Sequence, residues 1–187
     1  MLEQKTRTLT TLAMLAALSV LLVAAIHFPI LPAATFLEYD PADIPIFIAT
    51  FLFGPWAGLS LTAVVSVLQG ITVSAASGWI GIVMHFLATG SFVLVTGFLY
   101  RKKKTRGRAA VGLSLGVVTM SLVMCGCNLV FTPLFMGQPV EAVLAMLVPV
   151  ILPFNLIKAG VNGLITWVVY KPISKALHKS LDKKPAA

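Results

Sequence analysis

Apolar residues fall into six blocks along the chain, separated by short polar or Pro/Gly-rich joints. The first block, 8–27, is rich in Leu, Ala and Val and runs into Phe28-Pro29-Ile30-Leu31-Pro32, where the prolines end a helix. Blocks at 41–53 and 56–73 are split by Gly54-Pro55, and a Ser74-Ala75-Ala76-Ser77-Gly78 turn precedes the block at 79–100. A basic run, 101–108, separates this from 109–132, and Gly137-Gln138-Pro139 turns the chain into the last block, 143–170. A helix needs about 20 apolar residues to cross a bilayer, so the pattern predicts transmembrane helices. The 41–53 block is short for a span and is expected to tilt or to lie among its neighbours. The reading is an all-α integral membrane protein, a single domain over 1–187 with six transmembrane helices and a basic tail at 171–187.

Charge orients this arrangement. Of the 14 Lys and Arg, two precede the first span, six lie in 101–108 and five follow Tyr170. With six spans all of these share one face, which the positive-inside rule makes cytoplasmic, along with both termini. Glu38, Asp40, Asp43 and Glu141 fall on the other face. A chain of 187 residues that is 58% hydrophobic and 11% charged exceeds what a soluble core can bury. The positive charges behind the net +8 flank apolar spans, so topology explains them better than nucleic-acid binding does, and the 101–108 run is expected to touch anionic lipid head groups. Lys5 and Arg7 before an apolar run look like a signal peptide, but the run continues to about Ile26 without a convincing small-x-small cleavage site and is expected to be a retained first span.

Little in the chain suggests catalysis. Cys125-Gly126-Cys127 matches no redox or metal motif and reads as small apolar packing. His27, His85 and His178 are scattered, and the acids have no spacing that enforces a metal site. There is no Gly-x4-Gly-Lys-Ser/Thr loop to hold ATP, and neither Gly-x-Ser-x-Gly nor His-Glu-x2-His occurs. The expectation is no enzyme, no cofactor and no metal.

The remaining cation, Lys158, is embedded in the last apolar block. An ionisable group at membrane depth is costly and marks a functional site by default. Asn155, Lys158 and Asn162 stand at i, i+3 and i+7, on one helical face. Pro149 and Pro153 lie just upstream, where proline frees backbone carbonyls. If the helix enters from outside near Leu147, Asn155 lies roughly 12 Å deep and Lys158 roughly 16 Å. Asn128 lies about 6 Å from the outer end of its own span. These groups are expected to line a cavity open to the outside that grips a small molecule. The bland alternative is an interhelical hydrogen bond between Lys158 and an acid. A different class of reading is an intramembrane enzyme with Lys158 as base or nucleophile, and a ligand-free scaffold would leave that Lys unexplained. Asp40 before Pro41, or Asp43, is expected to cap the second helix.

Four stretches carry a resemblance: Tyr39-Asp40-Pro41-Ala42-Asp43-Ile44-Pro45, Phe53-Gly54-Pro55-Trp56-Ala57-Gly58, Asn128 with Pro133, and Phe154-Asn155-Leu156-Ile157-Lys158. From Ala13 to about Ser174 the chain resembles the substrate-binding S components of energy-coupling factor (ECF) vitamin transporters, in particular the riboflavin-specific group. It departs from that group at Ala42, where Ser is frequent, and at Phe135, where an aromatic hydroxyl is common. The resemblance implies a bacterial cytoplasmic-membrane protein that binds riboflavin from outside. It implies docking on a transmembrane coupling protein with two cytosolic ATPases, and toppling in the membrane to release the vitamin. It assigns substrate contacts to Leu37, Glu38, Tyr39, Asp40, Gly81, Asn128, Asn155 and Lys158, and a docking surface to Ala13 and Ala17. Riboflavin would be cargo, not cofactor. Another vitamin or precursor in the same architecture is the alternative. Trp79 and Tyr39 are expected either to stack on a ligand ring or to anchor at the membrane interface.

Overall fold

Helix α1, Leu2–Ala25, leads into a short antiparallel hairpin of β1, Phe28–Pro29, and β2, Glu38–Tyr39. The computed structural model describes residues 2–32 and 34–181, with side chains described for 5–32 and 34–176. Helices α2, Asp43–Phe53, and α3, Pro55–Ile71, follow, then a 3-10 turn at Ala75–Ser77 and α4, Gly78–Lys102. Helix α5 covers Arg106–Met136, and the last column is α6, Val140–Met146, a π turn at Leu147–Ile151, and α7, Leu152–Leu181. Among the described residues, four stretches are long and apolar enough to cross a membrane: Lys5–Ala25, Ala75–Lys102, Arg106–Met136 and Val140–Ala176.

The short α2 is the centre of the bundle. Residues Asp43 to Phe51 are all buried, because α1, α3, α4 and α7 pack around them. Eleven residues rise only about 16 Å, so α2 ends where Gly54, at φ 97°, reverses the chain and Pro55 opens α3. Phe47 stacks on Phe92 of α4 at 3.9 Å between ring centroids. At the far end of α2, Phe51 packs on Tyr100 and Tyr170 at 4.5 and 4.9 Å. There the Trp167 indole donates to the Arg106 carbonyl at 3.4 Å, and Thr105 caps α5 by accepting the Arg108 N–H. The basic 101–108 segment, the start of α5 and the distal half of α7 therefore meet at one end. A second apolar cluster forms at the other end, where Ala34 and Leu37 of the hairpin loop pack with Val143, Ile151 and Phe154.

Several expected boundaries shift. Helix α2 begins at Asp43 with Ala42 as the residue before it, and no side chain caps it. Asp40 instead accepts the Ala42 N–H at 3.0 Å, an Asx turn that sets the loop just ahead of the helix. The sixth block begins at Val140, is widened by the π turn around Pro149, and continues as α7 through Pro172 to Leu181. Residues 171–181 are therefore helix rather than a separate tail, and 182–187 lie outside the described residues.

Candidate functional site

A cavity of about 210 Å³ lies at the hairpin end of the bundle. The loop from Phe36 to Asp40 roofs it, and its walls come from the end of α3, the start of α4, the distal part of α5 and the start of α7. On α4 the spacing Gly81, His85 and Thr89 turns one stripe toward the cavity. On α5, Met120, Met124, Asn128 and Thr132 do the same, and on α7 Phe154, Asn155 and Lys158. Three methionines, Met84 included, give the cavity deformable apolar walls suited to a flat ring.

The roof is tied to α7 by polar contacts. Lys158 Nζ stands 2.6 Å from Asp40 Oδ2 and also donates to the Glu38 carbonyl at 3.3 Å. An unpaired ion buried this way costs several kcal/mol, so each group makes the other tolerable. Burial disfavours the charged form of Asp40, but the Lys158 ammonium outweighs it by attraction and by hydrogen bonding, holding the carboxyl below its usual range. One turn on, Asn162 donates to the Asp40 carbonyl at 3.0 Å and accepts the Tyr39 hydroxyl at 3.0 Å. Burial first, and the nearby Asp40 carboxylate second, push the Tyr39 hydroxyl up, which keeps it a donor. Asp43, fully inside, accepts the Thr89 hydroxyl at 2.8 Å and faces His85 Nε2 at 3.6 Å.

Of the residues expected to contact substrate, Leu37, Glu38, Asp40, Gly81, Asn128, Asn155 and Lys158 line this one cavity. Tyr39 does not line it. Its side chain turns to Asn162 and packs on Phe28 at 5.5 Å. Trp79 is exposed and meets Phe131 edge-on at 6.2 Å, away from the cavity. Asn155 gives one N–H to the Ile151 carbonyl at 2.8 Å, leaving its second N–H and its amide oxygen available. Asn128 donates to the Met124 carbonyl and accepts the Thr132 hydroxyl, and Lys158 keeps a third N–H. Ala13 and Ala17 lie together on the exposed face of α1, beside Met14, Leu18 and Leu21.

Sequence reasoning missed the α3–α4 wall, where Ser66, Gln69, His85 and Thr89 reach the cavity. It placed Asn162 on the polar stripe but not its bridge to the roof. A polar residue repeating every four positions on α4 was the available signal. Among the described residues no group of three or more His, Cys, Asp or Glu is arranged to hold a metal ion. In the ion pair with Asp40 the Lys158 amine has no lone pair for attack or proton abstraction, so the geometry suits binding rather than catalysis.

This cavity occurs in a chain whose residues 7–170 match the family described as ECF transporter, substrate-specific component. The chain belongs to that family. As a substrate-specific component it is similar to the riboflavin transporter FmnP of Bacillus subtilis (strain 168), with 32% identity over 98% of each chain. It is 33% identical to the riboflavin transporter RibU of Lactococcus lactis subsp. cremoris (strain NZ9000), over 89% of this chain and 95% of that one. It also resembles a solved structure described as that of the S component of a bacterial ECF transporter. That likeness has a TM-score of 0.75 and 29% identity, and covers 96% of this chain and 99% of the other. The substrate-specific component is a multi-pass bacterial membrane protein and not an enzyme.

Proposed function

We propose that this substrate-specific component binds riboflavin in the roofed cavity and delivers it to the cell with an ATP-driven ECF module. The observation that carries the reading is the convergence of Asn128, Asn155 and Lys158 from two membrane helices on one cavity with three methionines. A flavin offers carbonyls and an imide to polar partners and a flat apolar ring to the methionines. Leu37, Glu38, Asp40 and Gly81 complete the contact set, and Tyr39 acts from behind the roof by fixing Asn162.

All of 1–187 acts as a single domain with six spans, α2 being the shortest and most enclosed, and with both termini cytoplasmic. That topology puts the basic 101–108 segment inside and the cavity outside, in keeping with the positive-inside rule and with their positions at opposite ends of α4. Ala13 and Ala17 form the surface on which the transmembrane coupling protein docks, because small side chains allow close helix approach. Two cytosolic ATPases supply the energy that this chain, lacking a phosphate-binding loop, does not.

Growth of a bacterium unable to make riboflavin tests the reading. Expressing this chain together with an ECF module should restore growth at low external riboflavin, and either part alone should not. Growth that ignores this chain would refute the transport assignment.

A further inference from the structure

Two buried nitrogens on the α3–α4 wall have no hydrogen-bond partner: Gln69 Nε2 and His85 Nε2. Gln69 is 4% exposed, and both residues line the cavity. A buried polar group left unpaired is costly, and folded proteins rarely keep one without a use. Both positions are fixed by their surroundings. The Gln69 backbone carbonyl accepts the Thr72 and Ser74 N–H groups at 3.1 and 2.9 Å, closing α3 into its turn. Next to it, a Cβ on Gly70 would come within 2.2 Å of Ile82, so α3 and α4 cannot be much closer. His85 stands one turn after Gly81 on the face of α4 that lines the cavity. The 3.6 Å gap to Asp43 Oδ1 exceeds hydrogen-bond range.

We propose that Gln69 and His85 form a second polar subsite, on the α3–α4 wall, that donates hydrogen bonds to oxygen acceptors of the bound ligand. This rests on the flavin-binding reading and adds to it the contacts from α3 and α4. The acceptors are carbonyl or hydroxyl oxygens, both of which a flavin with a polyol chain carries. An apolar ligand of the same size would leave both nitrogens unpaired, so the subsite selects for oxygenated ligands.

Riboflavin titration followed by fluorescence quenching, on protein purified in detergent, tests the subsite with Gln69→Met and His85→Leu. Each variant should weaken binding about tenfold or more. The melting temperature of the ligand-free protein should hold or rise, since an orphaned group has been removed. A purely structural role would instead lower the melting temperature. Should Gln69→Met fail to fold, Gln69→Glu keeps the volume, removes the donor and adds repulsion to the acid-lined roof, and it should also bind about tenfold more weakly. Wild-type affinity in these variants would overturn the subsite while leaving flavin binding in place. Absence of quenching by the wild type would overturn the flavin reading and the subsite with it.

Discussion

Lys158 sits where a solitary charge is not tolerated, and Asp40 is the reason it can stay. Asp40→Asn keeps the shape but leaves the ammonium without a counter-charge. It should lower stability by about 3 kcal/mol, read as a fall in the detergent melting temperature. Acid should act on the same pair. The Asp40 carboxyl titrates below its usual range in the folded protein, so its contribution is complete above about pH 4 and fades as pH drops through the lowered value. A wild-type melting curve that loses stability below about pH 4, with Asp40→Asn flatter over that window, is the expected result. For ligand contact, Lys158→Ala and Asn155→Ala should each weaken riboflavin binding by about 1–3 kcal/mol, and unchanged titrations in both would sink their assignment. Lys158 and Asn155 were legible from sequence because a charge in an apolar run is a local signal. Gln69 and His85 were not, since a polar residue in a helix becomes a cavity wall only when a second helix closes on it.

At the scale of elements, the basic end of the bundle depends on close backbone approach. A Cβ on Gly97 would lie 2.7 and 2.8 Å from Pro55 Cβ and Cα, backbone that cannot move without shifting the α2–α3 turn. Gly97→Ala should therefore destabilise by about 1–3 kcal/mol. Folded Gly97→Ala protein should still titrate with riboflavin as the wild type does, because the cavity is at the other end of α4. A large loss of affinity in stable Gly97→Ala would show that the two ends are coupled. The helical blocks were readable because apolar runs and Gly/Pro joints are strong local signals. The hairpin was not, since strands of two residues carry no alternation to detect. Nor was the continuation of α7 past Pro172, where a residue that usually stops a helix is carried through.

For the molecule as a whole, six spans imply a defined sidedness of the loops and of the α1 face. In a variant with Cys125 and Cys127 replaced by Ala, a single Cys at exposed Glu141 should react with a membrane-impermeant maleimide on intact cells. One at exposed Lys103 should react only after lysis, and the reverse pattern would invert the topology. Replacing Ala13 and Ala17 by Leu should abolish uptake and spare riboflavin binding. Loss of binding in that double variant would count against a docking role. Charge distribution made sidedness readable in sequence. The shortness of the 41–53 block already pointed to a helix lying among its neighbours, and the packed bundle shows that four other helices enclose it.

The most direct measurement is an absorbance spectrum of the chain expressed alone and purified in detergent, followed by riboflavin titration of any empty protein. A co-purifying flavin spectrum, or quenching that saturates at one riboflavin per chain, is the expected result. A colourless protein that leaves riboflavin fluorescence unchanged would contradict it.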